Sequence, residues 1–381
     1  MRRTYLDHNA STPLHPAARA ALEHAFSAPL GNPSSPHAEG RRARDLLEGA
    51  RERVASVLGC RGREVLFTSG GTEAANLGLV GAARARAATG RHVVVTAVEH
   101  AAVLEPASAL EGEGYAVTRV PPRSDGGVDP ASVAAACTPG TTVAAVMLAN
   151  HETGAVLPVA QVAAAVRPRG VLVLCDACLG PGLLDLRVDR LGVDLMALSG
   201  HKFGAPPGIG ALFVRRRTKL LPLVRGGPQE ERIRGGTENV PGAVALAAAL
   251  EAVETGRSTR VERLGQLAER LRTGLAALPG VRFLGPTDAR LPTTVNVAID
   301  ACEGEALLVS LDLAGIAVST GSACAVGASE ASPVLIAMGL SPRVAASTIR
   351  LSLGDASLPE DVDEVLRVLP AIVARLRGLA R

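Results

Sequence analysis

Between residues 64 and 214 the chain alternates short apolar or β-branched runs with alanine-rich stretches, and this alternation limits its fold more than any other feature. The runs are "EVLF", "HVVVT", "YAVTRV", "TVAAVML", "VLVLCDA", "DLMAL" and "GALFV". Runs this short and continuously apolar suit strands buried on both faces. Between them, "TEAANLGLVGAARARA" and "PVAQVAAAVR" carry apolar residues at three- and four-residue steps, the period of a covering helix. Strand and helix alternating in this way predict an α/β fold, a doubly wound domain with a seven-stranded, mostly parallel sheet.

From about residue 240 to 278 the pattern becomes almost unbroken helix, "PGAVALAAALEAVETG" and then "RVERLGQLAERLRTGLAAL", which reads as a bridge between domains. Beyond it, "VRFLG", "TTVNVAI", "IAVST" and "STIRLSLG" read as strands, with "GEALLVSLDLAG" and "PEDVDEVLRVLPAIVARLRGL" as helices. The expected organisation is a large domain over residues 15–255 and a smaller α+β domain formed by 1–14 and 256–381.

Composition narrows the function. A net charge of +3 with arginines spread along 381 residues gives no compact basic tract, and 2% aromatic residues leave few platforms for base stacking. Nucleic acid is therefore not expected as a direct substrate. No segment reaches the roughly 18 consecutive apolar residues of a membrane span, and "MRRTYLDHNASTP" lacks the apolar core of a signal peptide, so a cytoplasmic protein away from the membrane is expected. Six scattered cysteines do not form a disulfide framework, and reduced thiols are expected.

In an open α/β sheet, ligands bind beyond the carboxyl ends of the strands. After "EVLFT" come Gly70, Gly71 and Thr72, whose backbone N–H groups and hydroxyl at a helix start can form an anion site or simply a cap. After "HVVVTAV" come Glu99 and His100, and after "TVAAVMLAN" the run "HETG", with Asn150 and His151. After "VLVLC" comes Asp176, and after "DLMALSG" come His201 and Lys202. Lys202 and Lys219 are the sole lysines of the chain, and an amine can form an imine where a guanidinium cannot. A carboxylate at one strand end and a lysine at a later one are what pyridoxal phosphate needs, an anion for its ring nitrogen and an amine for its aldehyde. Cys175 and Cys178 are spaced like half of a metal or redox site, but no second pair completes a zinc set. Cys324, in the small-residue loop "STGSACAVGAS", is either a thiol able to reach a substrate and then a partner or an incidental cysteine of an exposed loop.

Seven segments, "YLDHNASTP", "GNPSSPHAEGRRAR", "FTSGGTEAANL", "SGHKFGAPPGIGALFVRR", "RGGTENVP", "STGSACA" and "STIRLSLG", together resemble the cysteine desulfurases of the NifS and IscS type. These belong to the class V aminotransferase group of fold-type I pyridoxal phosphate enzymes, and the matches run in the family's order from residue 5 to about 354. The resemblance implies removal of sulfur from L-cysteine, with Lys202 forming the imine with the cofactor. Ser199, His201, Thr72 and the Gly71 backbone would bind its phosphate, joined by Thr237 from the neighbouring subunit of a homodimer. His100 would stack on the cofactor ring and shuttle protons, Asp176 would pair with the ring nitrogen, and Arg350 would hold the substrate carboxylate. Cys324 would take the sulfur as a persulfide, releasing alanine, and pass it to an acceptor protein.

Two positions depart from the family pattern. Three residues after the aspartate the family usually has a glutamine that hydrogen-bonds the cofactor's phenolic oxygen; here stands Leu179. In "LANHETG", His151 replaces an asparagine that contacts cofactor and substrate, and the hypothesis is that it takes over a polar contact Leu179 has lost. The alternatives are a selenocysteine lyase or aminotransferase on the same scaffold, or a non-catalytic cofactor-binding scaffold in sulfur transfer.

Overall fold

The computed structural model describes residues 3–320 and 331–379. After a short β1 (Thr4–Tyr5), the seven runs become β2 (Val65–Thr68), β3 (His92–Thr96), β4 (Ala116–Val120), β5 (Thr141–Ala145), β6 (Leu172–Asp176), β7 (Leu195–Ser199) and β8 (Gly210–Val214). They form one sheet in the order β2-β8-β7-β6-β5-β3-β4, in which β8 alone runs against the others. This is the expected seven-stranded, mostly parallel sheet.

Its strands are mostly apolar along their middles because both faces are covered, with polar residues such as His92, Thr141 and Asp176 at their ends. Along β3, Val94 enters one core while Val93 and Val95 enter the other; along β7, Met196 and Leu198 alternate in the same way with Leu195 and Ala197. Each buried Val or Leu contributes about 1.5–3 kcal/mol. The exception is β4, a half-exposed edge strand, where Arg119 reaches Glu111 at 2.8 Å and places charge on the edge. The helices Ala38–Leu58 and Val240–Thr255 cover one face, and the helix Ala101–Gly112 covers the other.

A second body of hydrophobic residues surrounds β9 (Val281–Leu284), β10 (Thr294–Ile299) and β12 (Thr348–Ser352), an antiparallel sheet in the order β12-β10-β9. The helices Arg257–Ala276 and Pro359–Leu379 pack on it through Leu264, Leu271, Val365 and Leu369, and Leu6 from the chain's start joins them. The run "IAVST" forms a shorter strand than expected. Only β11 (Ile316–Ala317) pairs, with β1, and Ser319 adds a single bridge to Arg350, because β1 is two residues long before the chain turns away.

That turn links the two cores. Asp7 bridges Ser352 beside β12, and five residues later the Thr12 N–H bonds the His201 carbonyl, at 2.9 Å, in the loop after β7. No helix among the described residues is long and apolar enough to cross a membrane.

Candidate active site

The carboxyl ends of β3, β5, β6 and β7 lie side by side and deliver polar residues to one place. Asp176, the last residue of β6, is buried, and its carboxylate accepts the Cys178 main-chain N–H at 3.0 Å. The tight turn Gly200–Lys202 follows β7, and Lys202 Nζ donates to the Asn9 and Ala10 carbonyls at 2.6 and 3.0 Å.

His100 caps the helix Ala101–Gly112: its Nδ1 accepts the Ala102 N–H at 3.0 Å, so the neutral ring carries its proton on Nε2. His151, from the turn after β5, meets it edge to face with ring centroids 5.1 Å apart. Burial lowers the His100 pKa and the charge of Lys202 adds to this, against an opposing pull from Asp176. Burial holds His151 well below the ordinary range, helped by His100, Arg350 and Lys202. The site thus contains two neutral imidazoles. His151 Nδ1 is buried and finds no partner among the described residues.

Arg350 of β12 comes in from the second core. It is buried, with Nη2 on Asp7 at 2.7 Å and Nη1 on the His151 carbonyl at 2.9 Å, while Nε has no partner among the described residues. Any carboxylate that reached Arg350 would therefore compete with Asp7. That constraint was absent from the sequence reading.

Beside this cluster lies a cavity of about 260 Å³ whose lining includes Gly70, Gly71, Thr72, Ser199 and His201, residues the sequence singled out for an anion, and also Glu73. Gly71 has no room for a side chain, since a Cβ there would lie 2.6 Å from Cys178 Sγ and 2.9 Å from Ser199 Cβ. A second cavity, of about 200 Å³, is lined by Lys202 and Leu179 together with Asn9, Phe203, Arg260 and Asp355. Thr237 is exposed and lines neither cavity. Cys324 lies outside the described residues. Cys175 and Cys178 are free thiols, both pushed well above the usual range, first by burial and then by Asp176.

Two buried carboxyls stand next to the site without a role assigned from sequence. Glu99 accepts from Thr96 Oγ1 at 2.6 Å and from the Met147 N–H at 2.7 Å, and burial, with Asp176 adding to it, pushes its pKa up to about 8. Glu152 accepts the Ser332 hydroxyl at 2.6 Å and is pushed up to about 7, again by burial.

Residues 4–365 match the aminotransferase class-V family. The chain is 44% identical over 384 residues to the IscS-like cysteine desulfurase of Mycobacterium tuberculosis, covering 99% of this chain and 98% of that protein. It is 38% identical over 380 residues to the cysteine desulfurase IscS of Dictyoglomus turgidum, covering 100% and 96%. The chain belongs to the cysteine desulfurases of the class V aminotransferase family. Among solved structures, a NifS-like protein superposes with a TM-score of 0.92 at 33% identity, covering 98% of this chain and 100% of that one.

Members of this family depend on pyridoxal phosphate, and the residues present fit it. Hydroxyl and amide donors line the anion cavity, where the Glu73 carboxylate is held by Arg234 at 2.9 Å, a carboxylate stands at the end of β6, and an amine stands at the end of the neighbouring β7.

The raised pKa of Glu99 predicts how stability varies with pH. An unfolded glutamate ionises above about pH 4.3, whereas folded Glu99 keeps its proton up to about pH 8. Between these values the unfolded chain loses a proton that the native state retains, so this group lowers stability as pH rises, by up to about 1.4 kcal/mol per unit. Glu99→Gln cannot ionise. Its thermal midpoint relative to the unsubstituted protein should climb from about pH 5 to about pH 8 and then level off; an offset constant over that range would contradict a protonated Glu99.

Proposed function

We propose that this chain removes the sulfur of L-cysteine, releases L-alanine, and carries the sulfur as a persulfide on Cys324 to an acceptor protein. The observation that carries the reading is the convergence of Lys202, Asp176, His100, His151 and Arg350, whose charges and rings act on one another within one cluster. The large domain is taken as residues 15–255 and the small one, with Cys324, as 1–14 and 256–381.

Bound pyridoxal phosphate supplies an electron sink for the bonds at the substrate's α carbon. Lys202 would hold the cofactor through its amine, and that amine would serve as a base at the substrate's α carbon. Asp176 would pair with the ring nitrogen. Ser199, His201, Thr72 and the Gly71 N–H would hold the phosphate, joined by the exposed Thr237 of a second copy in a homodimer. His100 presents a flat neutral ring and an Nε2 proton; accepting a proton on Nδ1 would cost it the bond to Ala102. Arg350 takes the substrate carboxylate as Asp7 yields. The Cys324 sulfur attacks the substrate sulfur, the carbon–sulfur bond breaks, and its electron pair remains with carbon, which takes up a proton as alanine forms. The sulfur then serves iron-sulfur cluster assembly in the cytoplasm, a destination supported by the IscS names of the relatives.

Purified protein given L-cysteine and a reductant should form alanine and sulfide in equal amounts, and Cys324→Ser should lose at least about a hundredfold in both while keeping the cofactor's visible band. Alanine without sulfide dependence on Cys324, or a keto acid product, would overturn the reading.

His151 is proposed to hydrogen-bond the cofactor's phenolic oxygen, a reading supported by its buried Nδ1, which has no partner among the described residues, and by the apolar Leu179. His151→Ala should shift the pH dependence of the visible band upward, because a lost donor destabilises the phenolate, and should weaken L-cysteine binding. An unchanged band and unchanged affinity would sink this role.

A further inference from the structure

His100 and His151 arrive from different strands, yet their rings meet at 5.1 Å. What joins the two turns lies one residue earlier in each. Glu99, just before His100, reaches toward the turn after β5, where its Oε1 accepts the Met147 N–H at 2.7 Å. Asn150, just before His151, reaches the opposite way, and its Nδ2 donates to the Val98 carbonyl at 3.0 Å. Both side chains are buried, 2% and 1% exposed, so neither bond has water as a ready substitute.

We propose that Glu99 and Asn150 are positioning residues, a two-way clamp between the turns after β3 and β5 that fixes the edge-to-face pair of His100 and His151. The inference rests on the function proposed above, which gives the pair its work. Each arm is itself anchored. Thr96 Oγ1 donates to Glu99 Oε1 at 2.6 Å, and Asn150 Oδ1 accepts from the Glu152 N–H, the Thr153 N–H and the Thr153 hydroxyl at 3.0, 2.9 and 3.1 Å. The Ala102 N–H on His100 Nδ1 then sets the orientation of the first ring. Fixed rings need no reordering when substrate arrives, which is the value of preorganisation.

The clamp needs an acceptor at 99, not a charge. Glu99 Oε1 receives two donors, Oε2 is buried with no partner among the described residues, and Asp176 is an anionic neighbour that disfavours a second negative charge. Glutamine reproduces the acceptor, whereas alanine removes it. At 150 both functions are used, donor toward Val98 and acceptor toward residues 152 and 153, and alanine supplies neither.

The test is nuclear magnetic resonance of the cofactor-loaded protein with histidines labelled at Cε1, the two signals being assigned by their loss in His100→Gln and His151→Asn. The charged and titratable groups around the rings are Asp176, Lys202, Arg350 and Glu152. Glu99→Ala and Asn150→Ala should move the His100 titration back toward the ordinary value of about 6.5, and lower kcat by about tenfold or more with a smaller change in KM. Glu99→Gln should keep both ring signals and hold kcat within about threefold of the unsubstituted protein. Alanine variants with unmoved signals and full kcat would overturn the clamp, as would a glutamine variant as damaged as the alanine one. If the alanine variants lose their visible band or thermal transition, Thr96→Val removes only one anchor and should give the same shift at smaller size; no shift there overturns the proposal. The ring signals are read without substrate, so the clamp is judged separately from the reaction, which the alanine and sulfide assay decides.

Discussion

The segment 7–12 holds the site together, because it enters from the second core and ties itself to the turn after β7 through the Thr12 N–H on the His201 carbonyl. That bond would stay intact with a cofactor on Lys202, which would displace the bonds from Lys202 Nζ to the Asn9 and Ala10 carbonyls. The same segment carries Asp7, which grips Arg350 from β12. A chain start that adds only two residues of strand thus brings an amine from one sheet and a guanidinium from another into a single pocket. Strand ends alone place Asp176, His100 and His151; the N-terminal segment adds Arg350 to them.

Packing these groups into a low-dielectric crevice has an electrostatic consequence. Burial drives two carboxyls and two imidazoles toward their neutral forms, up for Glu99 and Glu152 and down for His100 and His151. The site can therefore offer neutral imidazoles beside a cation and an anion, an arrangement suited to moving protons without first stripping water from charged side chains. Hydrogen bonds to the backbone keep these groups in register. His100 is both a helix cap and a member of the ring pair, so its chemistry and its local fold share one nitrogen.

Much of this was legible in the sequence. The seven apolar runs became the seven strands because continuous burial on both faces leaves an unambiguous pattern, and the strand-end rule led to Asp176, Lys202, His100 and His151. The helices Pro16–Ala25, Ala38–Leu58 and Ala101–Gly112 left a weaker trace, since each is capped by a histidine ring instead of the usual Ser, Thr, Asp or Asn. Asp7 on Arg350 could not be foreseen from spacing, because the partners are 343 residues apart and meet only through the second core. Glu99 and Asn150 were visible as neighbours of the histidines, but their crossed bonds depend on the register of β3 against β5.

The account stands or falls on Lys202 as the residue that holds the cofactor. Borohydride reduction of the pyridoxal phosphate-loaded protein, followed by proteolysis and mass spectrometry, fixes the cofactor covalently to whichever amine bears it, and the chain offers only Lys202 and Lys219 as side-chain amines. The account predicts the pyridoxyl group on the peptide containing Lys202. Label on Lys219, or protein that takes up no label at all, would contradict it.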